Sequence, residues 1–199
     1  MNRVLIVPGL HNSGPGHWQT EWQEQLPCSH RITLADWSTP NLNAWIHAIE
    51  TAIADFAPTH IVAHSFGTLA SAVVASQAND SNIENIENLR GIFLVAPADP
   101  DKFNVRHRLP ATDLPVRGVL FGSLSDPWLS WNGAQSLGEQ WGLRLECAGD
   151  VGHINVQSGH GEWQEGWRSL HDLFALVETP TSSVRHKLSN SSALALSFN

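Results

Sequence analysis

The sequence predicts an α/β architecture, a mostly parallel sheet of about six strands with helices on both faces and no large lid. Two observations carry this reading. Short runs rich in valine and isoleucine alternate with longer segments of helical spacing. The runs are apolar nearly throughout, as strands covered on both faces are.

The first run, 4–7, ends at Pro8-Gly9 and reads as a strand. The loop that follows, GLHNSGPGHW, is glycine-rich and precedes a helical segment at 17–26. It resembles a phosphate loop only in that respect. It ends in Gly16-His17-Trp18 and not in G-K-[ST], so no nucleotide site is expected. Trp18 and Trp22 are spaced i, i+4, as a buried helical stripe requires. Trp163 and Trp167 repeat that spacing in a predicted helix at 162–177. Further strands are expected at 32–34, 61–63, 92–95, 119–121 and 143–147, and further helices at 43–55, 67–77 and 132–141. Residues 79–90, with a short NIE-NIE echo, read as a surface loop. Between Val95 and Val116 there are only about 20 residues, too few for a helical lid. Residues 1–178 are expected to form one domain. From Thr179 the chain turns serine-rich, so 179–199 reads as a tail, with Leu194, Leu196 and Phe198 alternating along it.

Composition narrows the function. The 199 residues suffice for one sizeable core. A formal net charge of -8 and the lack of a Lys/Arg cluster exclude non-specific nucleic-acid binding. No apolar run is long enough to span a bilayer, so no membrane association is expected. The first residues lack the length and cleavage site of a signal peptide, which makes a cytoplasmic location the expectation. In that compartment Cys28 and Cys147 are expected to be buried free thiols. The eleven histidines show no HxH or HExxH spacing, so neither a metal nor any other cofactor is expected.

In open parallel sheets the reacting groups sit beyond the carboxyl ends of the strands. The segment HIVAHSFGTLA places Ser65 there, between an apolar run and a small-sided helical segment. The segments after the later strands supply Asp126, in Ser123-Leu124-Ser125-Asp126-Pro127, and His153, after Gly152. A serine hydroxyl is a poor nucleophile until a base takes its proton. His153 is the candidate base and Asp126 the candidate acid that would fix its tautomer. Chain order, Ser then Asp then His, is that of the α/β-hydrolase nucleophile elbow and its partners. The elbow pattern G-x-S-x-G stands here as Ala63-His64-Ser65-Phe66-Gly67, with alanine meeting the first demand for a small side chain. The backbone N–H groups of Phe66 and Leu10 are the candidate oxyanion donors. Asp99 and Asp101 remain rival acids, and His160 a rival base.

At these residues the chain resembles the small α/β hydrolases of the retinoblastoma-binding protein 9 family and their bacterial relatives of the YdeN type. The resemblance rests on the Pro-Gly loop with Trp18 and Trp22, the H-S-x-G elbow, the S-x-x-D-P block, and Gly152-His153 with Asn155. It covers roughly residues 3 to 177. It implies an α/β-hydrolase fold without a cap domain, a Ser-Asp-His triad, and serine-hydrolase activity on small esters. The partner expected is therefore a small-molecule ester. A thioesterase or amidase would use the same triad, and a non-catalytic protein-interaction module on the same scaffold is the competing class; no protein partner can be read from the residues. Without a lid the pocket is expected to be open and suited to short acyl chains. His11, Phe66, Trp128 and Trp131 are the residues expected to wall it.

Overall fold

The computed structural model describes residues 1–79 and 83–178. Six strands form one wholly parallel sheet in the order β2-β1-β3-β4-β5-β6. They are β1 (Val4–Val7), β2 (Ser29–Arg31), β3 (His60–His64), β4 (Gly91–Val95), β5 (Arg117–Gly122) and β6 (Arg144–Cys147). The helices are α1 (Trp18–Gln25), α2 (Leu42–Phe56), α3 (Phe66–Ala75), α4 (Trp131–Gln140) and α5 (Gln164–Glu178).

Alternate residues of the central strands feed opposite cores, as a period of two demands. Val4, Ile6, Val62, Phe93 and Phe121 point toward α1 and α5. Leu5, Val7, Ile61, Ala63, Ile92, Leu94 and Leu120 point toward α2, α3 and α4. The first core is largely aromatic. Trp18 meets Trp22 edge-on at 4.5 Å, and Trp22 stacks on Trp163 at 5.5 Å. The second is mostly aliphatic, with Trp45 and Trp141 fully buried in it. The i, i+4 pair Trp18 and Trp22 thus lies on a buried stripe.

The chain leaves β1 for the face of α1 and leaves β3 for the face of α3. The two neighbouring strands therefore part company at their carboxyl ends, opening the crevice in which such sheets place their ligands. The approach there is close. A Cβ on Gly9 would come within 2.7 Å of the Ser65 Cβ, and one on Gly67 within 2.5 Å of the Pro8 carbonyl oxygen.

Several expectations need correction. The second strand is Ser29–Arg31, three residues earlier than 32–34. It is an edge strand, half exposed, and Ile32 plugs the core just beyond its ladder. Trp163 precedes α5 and does not lie on it; its φ is +35°. Cys28 and Cys147 are free but not buried: Cys28 is half-buried and Cys147 exposed. The segment between β4 and β5 carries one short turn of 3-10 helix, Arg106–Arg108, and no lid. Within 79–90, Ile86–Asn88 forms another such turn. The tail at 179–199, with Leu194, Leu196 and Phe198, lies outside the described residues. Among the described residues no helix is long and apolar enough to cross a membrane.

Candidate active site

Ser65 links β3 to α3 with φ 53° and ψ -125°, a conformation that costs a non-glycine residue about 1–3 kcal/mol. Its amide donates to the Val95 carbonyl at 3.0 Å, and Thr68 Oγ1 donates back to the Ser65 carbonyl at 2.7 Å. These bonds hold the strained turn with the hydroxyl outward. The hydroxyl lies 2.9 Å from His153 Nε2. His153 Nδ1 lies 2.8 and 3.0 Å from the two carboxyl oxygens of Asp126. A carboxylate only accepts, so Nδ1 carries the ring proton and Nε2 is left to accept from Ser65. The Asp126 side chain is 2% exposed and takes a further bond from the Trp128 amide at 2.9 Å.

The two candidate oxyanion amides are both without an acceptor among the described residues. Phe66 is the first residue of α3, so its N–H has no intrahelical acceptor. Among the described residues the Leu10 N–H meets no acceptor either. Its neighbours are committed, His11 to the Trp37 carbonyl and Asn12 to the Gly9 carbonyl. Trp45 Nε1 donates to the Pro8 carbonyl at 2.9 Å and steadies this loop from below.

The His153 loop is under backbone tension. Gly152 has φ 63° and Ile154 φ 47°, the latter a marked outlier for a β-branched residue. Ile154 is fully buried, and its carbonyl accepts from Trp18 Nε1 at 2.9 Å. The Trp18 amide donates to the His160 carbonyl and Trp22 Nε1 to the Glu162 carbonyl, both at 3.1 Å. Helix α1 therefore clamps the histidine loop at three points. Gln19, fully buried, ties α1 to the sheet by donating to the Val7 and Val62 carbonyls.

Two histidines escaped the sequence reading. His64, the last residue of β3, has Nε2 3.0 Å from the His153 carbonyl oxygen and so donates to it. His17 caps α1. Burial lowers His17 from the ordinary 6.5 to about 4, with the Arg31 guanidinium adding to the effect, and burial pushes His64 well below that ordinary value. Both are neutral at physiological pH. The signal for His17 was its place just ahead of a helical pattern; for His64 it was the carboxyl end of a strand.

A cavity of about 820 Å³ opens over Ser65 and His153. Leu10, His11, Phe103, Trp128 and Val156 line it. Trp128 is about half exposed, its ring 6.2 Å from that of His153. Lys102 Nζ donates to the Trp128 carbonyl at 3.0 Å. Two expected wall residues stand elsewhere. The Phe66 ring is fully buried between Trp45 and Phe103, so only its amide faces the site. Trp131 opens α4 and packs against Gly122, where an added Cβ would meet its ring at 2.8 Å. The rivals are also occupied elsewhere. Asp101 pairs with Arg106 at 2.7 and 2.8 Å, Asp99 accepts from the Asp101 amide, and His160 Nδ1 lies 3.1 Å from Ser158 Oγ. Among the described residues no group of His, Cys, Asp or Glu could hold a metal ion.

A parallel six-strand sheet with a serine elbow at its switch point defines an α/β hydrolase. The family model for serine hydrolases matches residues 4–172, and the chain belongs to that family. It is similar to a YdeN-like hydrolase from Pectobacterium atrosepticum, at 31% identity and a TM-score of 0.81 over 89% of this chain and 92% of that one. It also shares its fold with the YdeN gene product of B. subtilis, at 17% identity and a TM-score of 0.69, covering 88% and 100% of the two chains. A hydrolase of the α/β superfamily from Xanthomonas campestris superposes with a TM-score of 0.64 at 16% identity, covering 88% and 99%. No curated protein matches the sequence. The chain is thus a YdeN-type small serine hydrolase of the α/β-hydrolase superfamily.

Proposed function

We propose that the protein is a carboxylic-ester hydrolase that works through an acyl-enzyme on Ser65. The observation that carries this reading is the unbroken chain of hydrogen bonds from Ser65 Oγ to His153 to Asp126, facing an open cavity. His153 Nε2 takes the hydroxyl proton as Ser65 Oγ bonds to the ester carbonyl carbon. The charge that gathers on the carbonyl oxygen meets the Leu10 and Phe66 amides. Removing one such donor typically costs about 10²–10³ in rate. Asp126 holds the imidazolium. As the tetrahedral adduct collapses, the same proton passes from Nε2 to the departing alkoxide. Water then repeats the sequence, giving its proton to Nε2 and its oxygen to the acyl carbon, and Ser65 is released.

The test is labelling with an alkyl fluorophosphonate, with Ser65→Ala as control, alongside turnover of short-chain p-nitrophenyl esters. Labelling confined to Ser65 with ester turnover is the expected result. A protein that neither labels nor turns over returns the chain to the class of non-catalytic interaction modules.

A further inference from the structure

Two buried histidines beside the nucleophile are each only half used. The His17 Nδ1 accepts the Gln19 amide at 3.2 Å, so the ring proton sits on Nε2. His64 is wired the other way: Nε2 donates to the His153 carbonyl, which leaves a bare lone pair on Nδ1. Among the described residues neither His17 Nε2 nor His64 Nδ1 has a hydrogen-bond partner. Each of the two residues is only 5% exposed. Neither nitrogen is among the fully sealed unpaired atoms, and both residues line the cavity. The rings meet edge to face with centroids 4.9 Å apart. One unpaired donor and one unpaired acceptor thus belong to neighbouring rings that both line the cavity.

We infer that His17 and His64 form a hydroxyl-recognition subsite, and that the ester cleaved at Ser65 carries a free hydroxyl close to its ester group. A hydroxyl is the small group that both donates and accepts, so it satisfies both nitrogens at once. A carboxylate or phosphate would find one donor and a repelling lone pair; an ammonium would find a repelling N–H. None of the residues lining the cavity is Asp, Glu, Lys or Arg, which matches a neutral substrate. The position near the ester group follows from His64, which adjoins Ser65 in the chain and lies 4.8 Å, ring to ring, from His153. The hydroxyl can reach this point from the acyl side or from the alcohol side of the ester.

This inference rests on the ester-hydrolase reading, and the experiment separates the two. Values of kcat/KM are compared for ethyl butyrate, ethyl 3-hydroxybutyrate and 2-hydroxyethyl butyrate, after fluorophosphonate labelling has been checked. The latter two esters place the hydroxyl on the acyl and alcohol sides respectively. One of them should exceed ethyl butyrate by about tenfold, the worth of one or two ordinary hydrogen bonds. In His17→Asn that ratio should fall to near one. Asparagine is a strong helix cap, so α1 keeps its first turn while the donor is withdrawn from the cavity. Thermal melting checks the fold, and His17→Ser, also a good cap, replaces the variant if it does not fold. A ratio near one for both hydroxylated esters in a labelled parent protein overturns the subsite alone. So does a ratio that survives the loss of His17. A parent protein that does not label overturns the hydrolase reading and the subsite with it.

Discussion

Strand β3 begins and ends with a buried histidine, and the two ends lead different lives. At the carboxyl end His64 donates its ring N–H to the His153 carbonyl and lines the cavity. At the amino end His60 packs edge-on against Phe174 at 4.7 Å and fills the space above Gly91, where an added Cβ would come within 2.5 Å of its ring. Its Nδ1 lies 2.9 Å from Thr59 Oγ1, while its Nε2 is sealed and unpaired. The residue type and the strand are the same. What differs is which edge of the parallel sheet the residue occupies: loops diverge at one edge to make a crevice, and the other edge only packs.

The proposed chemistry and the proposed division between the two ends can be broken together. The largest effect is expected at the cavity edge. Ser65→Ala should lower ester turnover by about a million-fold with melting behaviour retained, since the members of such a triad act as a unit. A variant with appreciable parental turnover would remove Ser65 from the chemistry. Next, Asp126→Asn should cost about 10⁴ in kcat, because an amide favours the wrong histidine tautomer. Asp99→Asn, assayed beside it, should stay near the parent; a larger loss there would move the acid to the loop after β4.

The amino end should respond in stability. Burial, with the Arg90 charge adding to it, lowers His60 from 6.5 to about 4. As pH falls below 6.5 the unfolded chain takes up a proton at this site before the folded one does. The stability that His60 supplies in its neutral form is therefore complete above about 6.5 and drains away as pH falls through about 4, a loss of about 3 kcal/mol. Urea titrations at a series of pH values should show His60→Gln losing that much less than the parent across this window, with unchanged kcat/KM at neutral pH. An acid profile that overlays the parent's would clear His60 of the effect, and a fall in kcat/KM would erase the distinction between the two ends. The smallest effect is expected from Trp128→Ala. The ring is half exposed, so stability should shift by less than about 0.5 kcal/mol. KM should rise by about two- to fivefold through loss of one aromatic wall. A large loss of stability with an unaltered KM would make Trp128 a packing residue.

Five of the six strands, their parallel sense and the loops bearing the candidates Ser65, Asp126 and His153 were readable because they depend on local pattern. Apolar runs mark doubly covered strands, and the candidates Ser65 and Asp126 each follow one, while His153 follows the edge strand β6. What was not readable depends on partners far away in the chain. β2 is an edge strand with no apolar requirement, so Ser29-His30-Arg31 left no signal, and the apolar triplet beyond it drew the eye. Trp128 and Trp131 look alike in sequence, three residues apart, yet one faces the cavity and the other lies under Gly122. Phe66 offers its amide to the site and its ring to the core, a split no pattern reveals. Cys147 sits at the end of the other edge strand, where burial is incomplete. The free nitrogens of His17 and His64 emerge only once capping and the His153 carbonyl have consumed the other two.

The clamp between α1 and the histidine loop also orders events during synthesis. Trp18 closes on Ile154 across 136 residues of chain, and Trp22 on Glu162 across 140. A polypeptide emerging from the ribosome can build β1, α1 and the serine elbow long before Ile154 and Glu162 exist. Until they arrive, two indole N–H groups of α1 lack the acceptors that the folded chain gives them. The Ser65 hydroxyl likewise gains its histidine neighbour only from a segment 88 residues further along the chain.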